Sequence, residues 1–519
     1  MVWKNIALRL RRPPLEGLIP FREADQETAP YPNQFGTRYM TDQASSTSPN
    51  EKWYSGINRY QWTVLVIASL GWVFDIFEGQ IFVASMREAM PSLVAAGTEA
   101  SQIAYYNQIA LAAFLLGGAI GGIIFGALSD RIGRKKTMSF TILFYSLFTC
   151  LSAFSQDWWH LAGFRFLVAL GVGGEWAVAS ALVAEVFPKK ARAHVGGIFH
   201  ASSVLGTYLA VAAGTFFIGN AAVHSWAANQ EGTWIANIVD PTSLPWRLGF
   251  ALGVLPAILI LWIRSSLKEP DSWVAARLKS QDDAGEQMGK ISDLFKGELL
   301  RHTLVGVCLA AVGLATFWGA HIYGKNTLLA AAERNIVSEA EASQGGQTLS
   351  AEARSTLLAT NAPSLKRSEM LGMFIVTTGG GIGLLCFGPI CTRIGRRKAF
   401  LFYHIGGVLS ALLVFQVIKS SGPLMLILPV FGFLTLGMHA GYAIYFPELY
   451  PTRLRGTGTG FCFNAGRIIA APILFSMGWM QSNFGLSLTQ AASYLSLLYL
   501  LAVVILIFAP ETKGQDLPA

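Results

Sequence analysis

The chain has 519 residues, of which 52% are apolar and only 13% charged, where a soluble protein carries roughly a quarter charged residues. Its 53 glycines disfavour soluble helices but suit close helix packing in lipid, so a soluble multidomain protein is excluded. The net charge of +8 would point to nucleic acid only if the basic residues gathered on one solvated face, and they follow a membrane topology instead.

Residues 1–59 read as a polar tail. Lys4, Arg9, Arg11 and Arg12 precede two prolines with no apolar stretch behind them, so no cleaved signal is expected. Met40 opens a plausible shorter tail. Apolar runs of membrane-crossing length, about 20 residues, then fall near 60–86, 105–128, 138–155, 160–187, 195–218 and 247–263. A polar linker at 264–302 separates these from runs near 303–328, 369–390, 399–418, 424–447, 456–480 and 490–509. In lipid such runs must be helices, since every backbone polar group needs a partner inside the segment.

The expectation is an all-α membrane protein with twelve transmembrane helices. An N-terminal six-helix bundle (60–263) and a C-terminal one (303–509) would be joined by the 264–302 linker, with a short tail at 510–519. The loop 329–368, rich in Ala, Ser, Glu and Gln, is expected to hold one short amphipathic helix. Most of the 39 Lys and Arg residues lie on one side of this topology. The other side holds Arg87, Arg247, Lys325, Arg334, Arg354, Lys366, Arg367 and Lys419, and Arg165 and Arg467 sit inside spans. The positive-inside rule then puts both termini in the cytoplasm of a cell whose plasma membrane holds the protein. Cys150, Cys308, Cys386, Cys391 and Cys462 lie in or beside apolar segments without metal-ligand spacing, so they read as packing thiols, with no metal and no cofactor expected.

The second half repeats the first at an offset of 262 or 263 residues. Arg131-Ile-Gly-Arg134-Lys-Lys recurs as Arg393-Ile-Gly-Arg396-Arg-Lys, and Glu185-Val-Phe-Pro-Lys-Lys-Ala-Arg192 recurs as Glu448-Leu-Tyr-Pro-Thr-Arg-Leu-Arg455. On these residues, and on Gly126-Ala-Leu-Ser-Asp130-Arg131-Ile-Gly133-Arg134 between spans 2 and 3, the chain resembles the major facilitator superfamily over nearly its whole length. The resemblance implies two bundles that rock around a central site. It also implies a cytoplasmic latch made of Asp130, Arg131, Arg134, Glu185 and Arg192 with Arg393, Arg396, Glu448 and Arg455. A purely topological role for the basic residues is the alternative. Thr392 stands where the first copy has Asp130, so the C-terminal latch is expected to be the weaker one.

Charges inside a membrane are costly, roughly 2.5–3.5 kcal/mol each on insertion scales, and mark functional sites. Asp75 and Glu78 lie three residues apart, on one helical face. Helix rise places Asp75 and Arg165 in the same outer half of the membrane. An Asp75–Arg165 pair competing with a proton is therefore expected, either as a coupling device or as a static tie between spans 1 and 4. Glu175 in mid-span 4 has His200 as a candidate partner, for packing or for a second proton step. Arg467 in span 11, within Asn464-Ala-Gly-Arg467, is either an anchor for an organic anion or a structural residue. Trp318, Tyr323 and His439 are further candidate substrate contacts, although aromatic residues and lone histidines, including His321 and His404, are commonly packing or cavity wall.

Several segments narrow the resemblance. Asp75-x-x-Glu78, Arg165 through Gly171-Val-Gly-Gly-Glu175-Trp176, Trp246-Arg247 and Asn464-Ala-Gly-Arg467 look like the sialate and metabolite:proton symporter branches. Pro510-Glu511-Thr512-Lys513-Gly514 is similar to the end of sugar porters. The function implied is proton-coupled symport of a small organic anion by alternating access, with a sugar or polyol porter as the alternative. The partners expected are a small-molecule substrate, protons and the lipid bilayer; no nucleic acid is expected, and the protein is expected to be a monomer. A membrane sensor would need larger solvated domains, and an enzyme would need a catalytic set in a solvated position. Neither is apparent.

Overall fold

A computed structural model describes residues 52–519 apart from 219 and 284, so Met40 and the rest of the tail through residue 51 lie outside the described residues. Trp53–Ala519 is one compact unit, and its described regular elements are helices. The polar segment ends at Asn58, which forms a capping box with Gln61 and so starts α1 (Arg59–Ala89). Then come α2 (Ala100–Ile132), α3 (Arg134–Ser152), α4 (Trp158–Val186), α5 (Lys189–Ile218) and α6 (Pro241–Ile263). The second half supplies α7 (Gly297–Ser343), α8 (Ala362–Ile394), α9 (Arg396–Val417), α10 (Ser421–Glu448), α11 (Arg455–Ala470) and α12 (Leu488–Phe508).

Ten helices among the described residues are long and apolar enough to cross a membrane, and α3 and α11 are not among them. Both are helical where spans 3 and 11 are expected. However, α3 opens on Arg134-Lys135-Lys136, and α11 carries Arg455, Asn464 and Arg467 before Pro472 separates it from a further helix, Ile473–Phe484. The 329–368 loop also differs from expectation. α7 runs on into it as far as Ser343, a second helix occupies Ala351–Thr360, and α8 begins at Ala362.

The internal repeat is visible residue by residue. α2 and α8 are each 33 residues long. They end at Gly133 and Gly395, whose φ angles of 107° and 98° suit a residue without a β-carbon. The next helix starts at once, and a later glutamate caps it. Glu269 accepts from the backbone N–H of Arg134 (2.7 Å) and Lys135 (3.2 Å), and Glu511 accepts from Arg396 (2.9 Å) and Arg397 (3.2 Å). Burial pushes the Glu269 carboxyl above its ordinary range, opposed by those backbone donors.

α2 has two glycine edges. Gly117 and Gly121 lie against the carbonyls of Phe166 and Leu170 on α4, where a β-carbon would collide with backbone. The neighbouring edge, Gly118, Gly122 and Gly126, meets Arg467, Asn464 and the Gly456 carbonyl on α11. Four-residue spacing keeps each set on one face, so the backbones approach closely. This second edge joins the two sequence halves. α5 adds to the seam by packing on α8 and α10.

On the face that carries the basic loops, the seam is closed by buried charges. Glu185 accepts from Arg134 of its own half (2.8 and 3.1 Å) and from Arg455 of the other half (2.8 Å), all three side chains being fully buried. Asp130 accepts from Arg134 (2.7 Å) and, across the seam, from Gly456 N (3.0 Å), Thr457 N (2.7 Å) and Thr457 Oγ1 (2.5 Å). The second copy pairs Arg396 with Glu448 at 2.8 and 3.1 Å within its own half. Thr392 donates back to Gly388 O of its own helix, and Arg192 donates to Ala184 O. Arg131 and Arg393 are exposed, Arg131 reaching Gly289 O of the linker at 3.2 Å. The linker also holds the other half, through Arg453 with Asp293 and Glu286, both at 2.9 Å.

Two outcomes follow for the seam. Removing one partner of a buried ion pair costs about 3–5 kcal/mol, so Glu185→Gln should open this face. Ser180 bonds Ala443 O across the seam. A cysteine placed at position 180 should therefore be alkylated from the basic face at least about tenfold faster in the Glu185→Gln background, two to three times RT ln 10 being available. Gly460→Ala should do the same by a different route, because its β-carbon would strike the Gly122 carbonyl across the seam. Unchanged labelling in Gly460→Ala would mean that backbone contact does not hold the halves together.

Candidate functional site

Beyond the seam the halves part around a cavity of about 250 Å³. α1 contributes Trp72 and Asp75, α4 contributes Trp176 and α5 contributes His200. The second half faces them with Phe317, Trp318, His321 and Lys325 from α7, His439 from α10, and Phe463 and Arg467 from α11. A larger groove of about 970 Å³ lies on the outside of α8, α9 and α10 and is lined by apolar residues apart from Lys398.

Asp75 is 1% exposed and points into the cavity from α1. From α4, Glu175 crosses to lie against Gly71, one turn before Asp75, where only a glycine leaves room for it. The two carboxyl groups act on each other, with Tyr145 alongside, yet none of their four oxygens finds a donor in hydrogen-bond geometry among the described residues.

Arg165 is paired differently from the sequence expectation. Its Nη2 lies 3.8 Å from Glu78 Oε2 and its Nη1 donates to Glu78 O at 3.1 Å. Thr149 donates to the same carboxylate at 2.6 Å. The rings of Phe82, Phe114 and Phe250 lie 5.1–5.6 Å from the guanidinium carbon. The expected Asp75–Arg165 pair is therefore corrected to Glu78–Arg165. The reason is axial. α1 and α4 run in opposite directions, and Arg165 stands ten residues, about 15 Å, before Glu175 on α4. With Glu175 against Gly71, Arg165 stands level with a point about ten residues further along α1, nearer to Glu78 than to Asp75.

His200 is not Glu175's partner either. Its Nδ1 accepts from Trp176 Nε1 at 3.2 Å. Asn464 faces α2 rather than the cavity, its Nδ2 donating to Gly460 O at 2.9 Å while the side chain fills the space over Gly122. Tyr323 packs in the apolar cluster with Ile375 and is not part of the cavity wall. Trp318, His439 and Arg467 do line it.

Arg467 rests over the Phe463 ring at 5.3 Å, in the space that Gly118 leaves open. Among the described residues it makes no hydrogen bond or ion pair, and Asp75 is the acid that lines the same cavity. Two lining residues were not among the sequence candidates for substrate contact. Lys325 read as an outer-side charge and His321 as packing or cavity wall; both line the cavity, where α7 widens into a π-turn at Phe317–His321. Among the described residues no cluster of His, Cys, Asp and Glu is placed to hold a metal.

Comparison with known proteins agrees with this architecture. The family model described as Major Facilitator Superfamily matches residues 80–472. The sialic acid transporter NanX of Escherichia coli is 28% identical over 84% of this chain and 91% of its own. The niacin transporter NiaP of Acinetobacter baylyi is 28% identical over 89% of this chain and 96% of its own. Among solved structures, the proton:xylose symporter XylE bound to 6-bromo-6-deoxy-D-glucose superimposes with a TM-score of 0.62, covering 88% of this chain and 98% of that one at 17% identity. Together with the repeated helix pairs and the central cavity, these matches establish that this integral membrane protein belongs to the Major Facilitator Superfamily.

Proposed function

We propose that the chain is a secondary active transporter that carries a small organic anion together with protons by alternating access. In this reading α3 and α11 also cross the membrane, giving twelve crossings in bundles at 60–263 and 303–509 joined by the 264–302 linker. The basic face and both termini are cytoplasmic, in the cell membrane, and the Asp130–Arg134–Glu185–Arg455 network latches the state closed to the cytoplasm. Arg467 holds the anion, Asp75 with Glu175 holds the proton, and Glu78–Arg165 braces α1 against α4.

The observation that carries this reading is the pairing pattern in one cavity: an arginine without a carboxylate partner faces an acid that meets a second acid. A half-buried cation among membrane-spanning helices is costly without a counter-ion, and an anionic guest supplies one. Protonation of Asp75 removes a negative charge from the cavity that Arg467 also lines, so proton and anion favour each other's binding. The names of NanX and NiaP specify sialic acid and niacin, both carboxylic acids, which supports an acid as cargo here. A sugar or polyol porter remains the second reading, favoured by the uncharged Gln80, Ser203, Thr207 and Thr377 in the cavity wall.

In proteoliposomes, uptake should collapse with a protonophore. Asp75→Asn should lose accumulation against a gradient, to under about a tenth of the parent, while keeping counterflow, because only the proton step is removed. Accumulation by Asp75→Asn would refute the coupling. Arg467→Ala should weaken binding of organic acids by about 10- to 100-fold, the range of a charge-assisted hydrogen bond. If the cargo is a neutral sugar, hexose binding should survive that substitution and acids should not bind the parent protein.

A further inference from the structure

At the basic face the linker touches both halves. Its helix, Asp271–Asp282, is docked by Trp273, which is buried and donates to Asp130 O at 2.7 Å. The loop that follows is tied twice. Gly289 O accepts from Arg131 Nη2 of the first half at 3.2 Å, and Gly289 N donates to Arg453 O of the second half at 2.9 Å. Gly289 has a φ of 65°, and a β-carbon there would strike Ala127 O of α2. The loop is therefore wedged across the seam.

Between this loop, the linker helix and the end of α2 lies a hollow of about 380 Å³, within the usual ~300–1,000 Å³ of small-molecule sites. Arg131, Arg277 and Lys290 line it with the amides of Gln281 and Gln287, and no acid among the described residues does. Arg277 is held in place over the Trp273 ring, 5.1 Å from its centre. Glu286 and Asp293, the acids on either side of the loop, are committed to Arg453, Lys279 and Lys296. Three like charges around one space repel each other unless an anion stands among them. A carboxylate brings a single charge. A phosphate monoester brings about −1.5 to −2 at neutral pH and a diphosphate more, and guanidinium forks match phosphate oxygens in pairs.

We infer that this hollow is a second ligand site, which takes the phosphate or diphosphate group of a small anion and thereby holds the seam closed. Such a group joins Arg131 of α2 to Lys290 and Gln287 of the loop that Arg453 anchors. For the halves to separate, the loop must let go of Arg131 or of Arg453, and the first route breaks the anion's own contacts. Coupling of this kind is reciprocal, so the anion binds more weakly once the seam is open. The site shares no residue with the central cavity and goes beyond the transport reading, standing whatever the cargo is.

The test uses the full-length protein in nanodiscs of neutral phosphatidylcholine, with inorganic pyrophosphate as the probe and sodium chloride at matched ionic strength as the control. Pyrophosphate should slow alkylation of Ser180→Cys from the basic face by about threefold or more, and chloride should not. Its Kd, read by calorimetry, should rise about tenfold or more in Arg277→Gln with Lys290→Gln, which removes two charge-assisted contacts. The charge-keeping pair, Arg277→Lys with Lys290→Arg, should stay within about threefold of the parent, which separates lost charge from misfolding. Gly460→Ala, which pries the seam apart elsewhere, should weaken pyrophosphate binding by about threefold or more. If protection instead needs phosphatidylglycerol in the disc and disappears in the double glutamine variant, the phosphate group is that of a lipid headgroup. Protection by neither source, binding that leaves the labelling rate unchanged, or binding undiminished in the double glutamine variant would overturn the inference. None of these results bears on Arg467 and Asp75, so the transport reading would stand.

Discussion

Close contact between α2 and α11 is the constraint from which the rest of this architecture follows. Gly118, Gly122 and Gly126 bring α2 to within backbone distance of Gly456 and Gly460, and such contact between helices is possible only where neither carries a β-carbon. With the helices that close, Arg455 reaches Glu185, and the first backbone amides of α11 reach Asp130. Further along the same edge the larger side chains Asn464 and Arg467 replace glycine on α11, and the halves separate. The closed seam and the cavity are thus two stretches of a single helix pair.

The charges divide accordingly. In the seam, every buried charge has partners: Glu185 has two arginines, and Asp130 has an arginine and three donors from the other half. In the cavity the pairing is incomplete among the described residues: Arg467 rests on a ring rather than on an acid, and the oxygens of Asp75 and Glu175 have no donor. A low-dielectric interior makes satisfied charges strong and unsatisfied ones expensive. The seam is therefore where the structure is held, and the cavity is where something remains to be bound.

Much of this was legible in the sequence. The repeated Arg-Ile-Gly-Arg segments located the two helix breaks, because a glycine at the turn and a following cationic cluster can be matched by eye at a fixed offset. Together with Asp130 and the repeated Glu185 and Arg455 segments they named the four residues of the buried network, along with Arg131 and Arg393, which are exposed. Partner choice among the membrane charges was not legible. Asp75 and Glu78 share a face, and choosing which of them meets Arg165 needs the axial level of α4 to better than one turn, while span ends read from hydropathy carry an error of about four residues. Tyr323 and Lys325 were misplaced for another reason. A π-turn adds a residue to the helix and rotates everything after it by roughly a quarter turn or more, and no residue in Phe317–His321 announces it. Asn464 looked polar enough for a ligand, but its environment is set by Gly122, more than three hundred positions earlier.

The exchange of Asp130 for Thr392 between the two repeats has a mechanical consequence. Arg396–Glu448 and the Glu511 cap lie wholly on one side of the seam, so nothing in them must be taken apart for the halves to separate. The other repeat must surrender Arg455 and three donors to water before any movement begins. In the transport cycle proposed above, one half would thus act as a fixed jaw and the other as a catch, with two carboxylates to be rehydrated before the catch lets go.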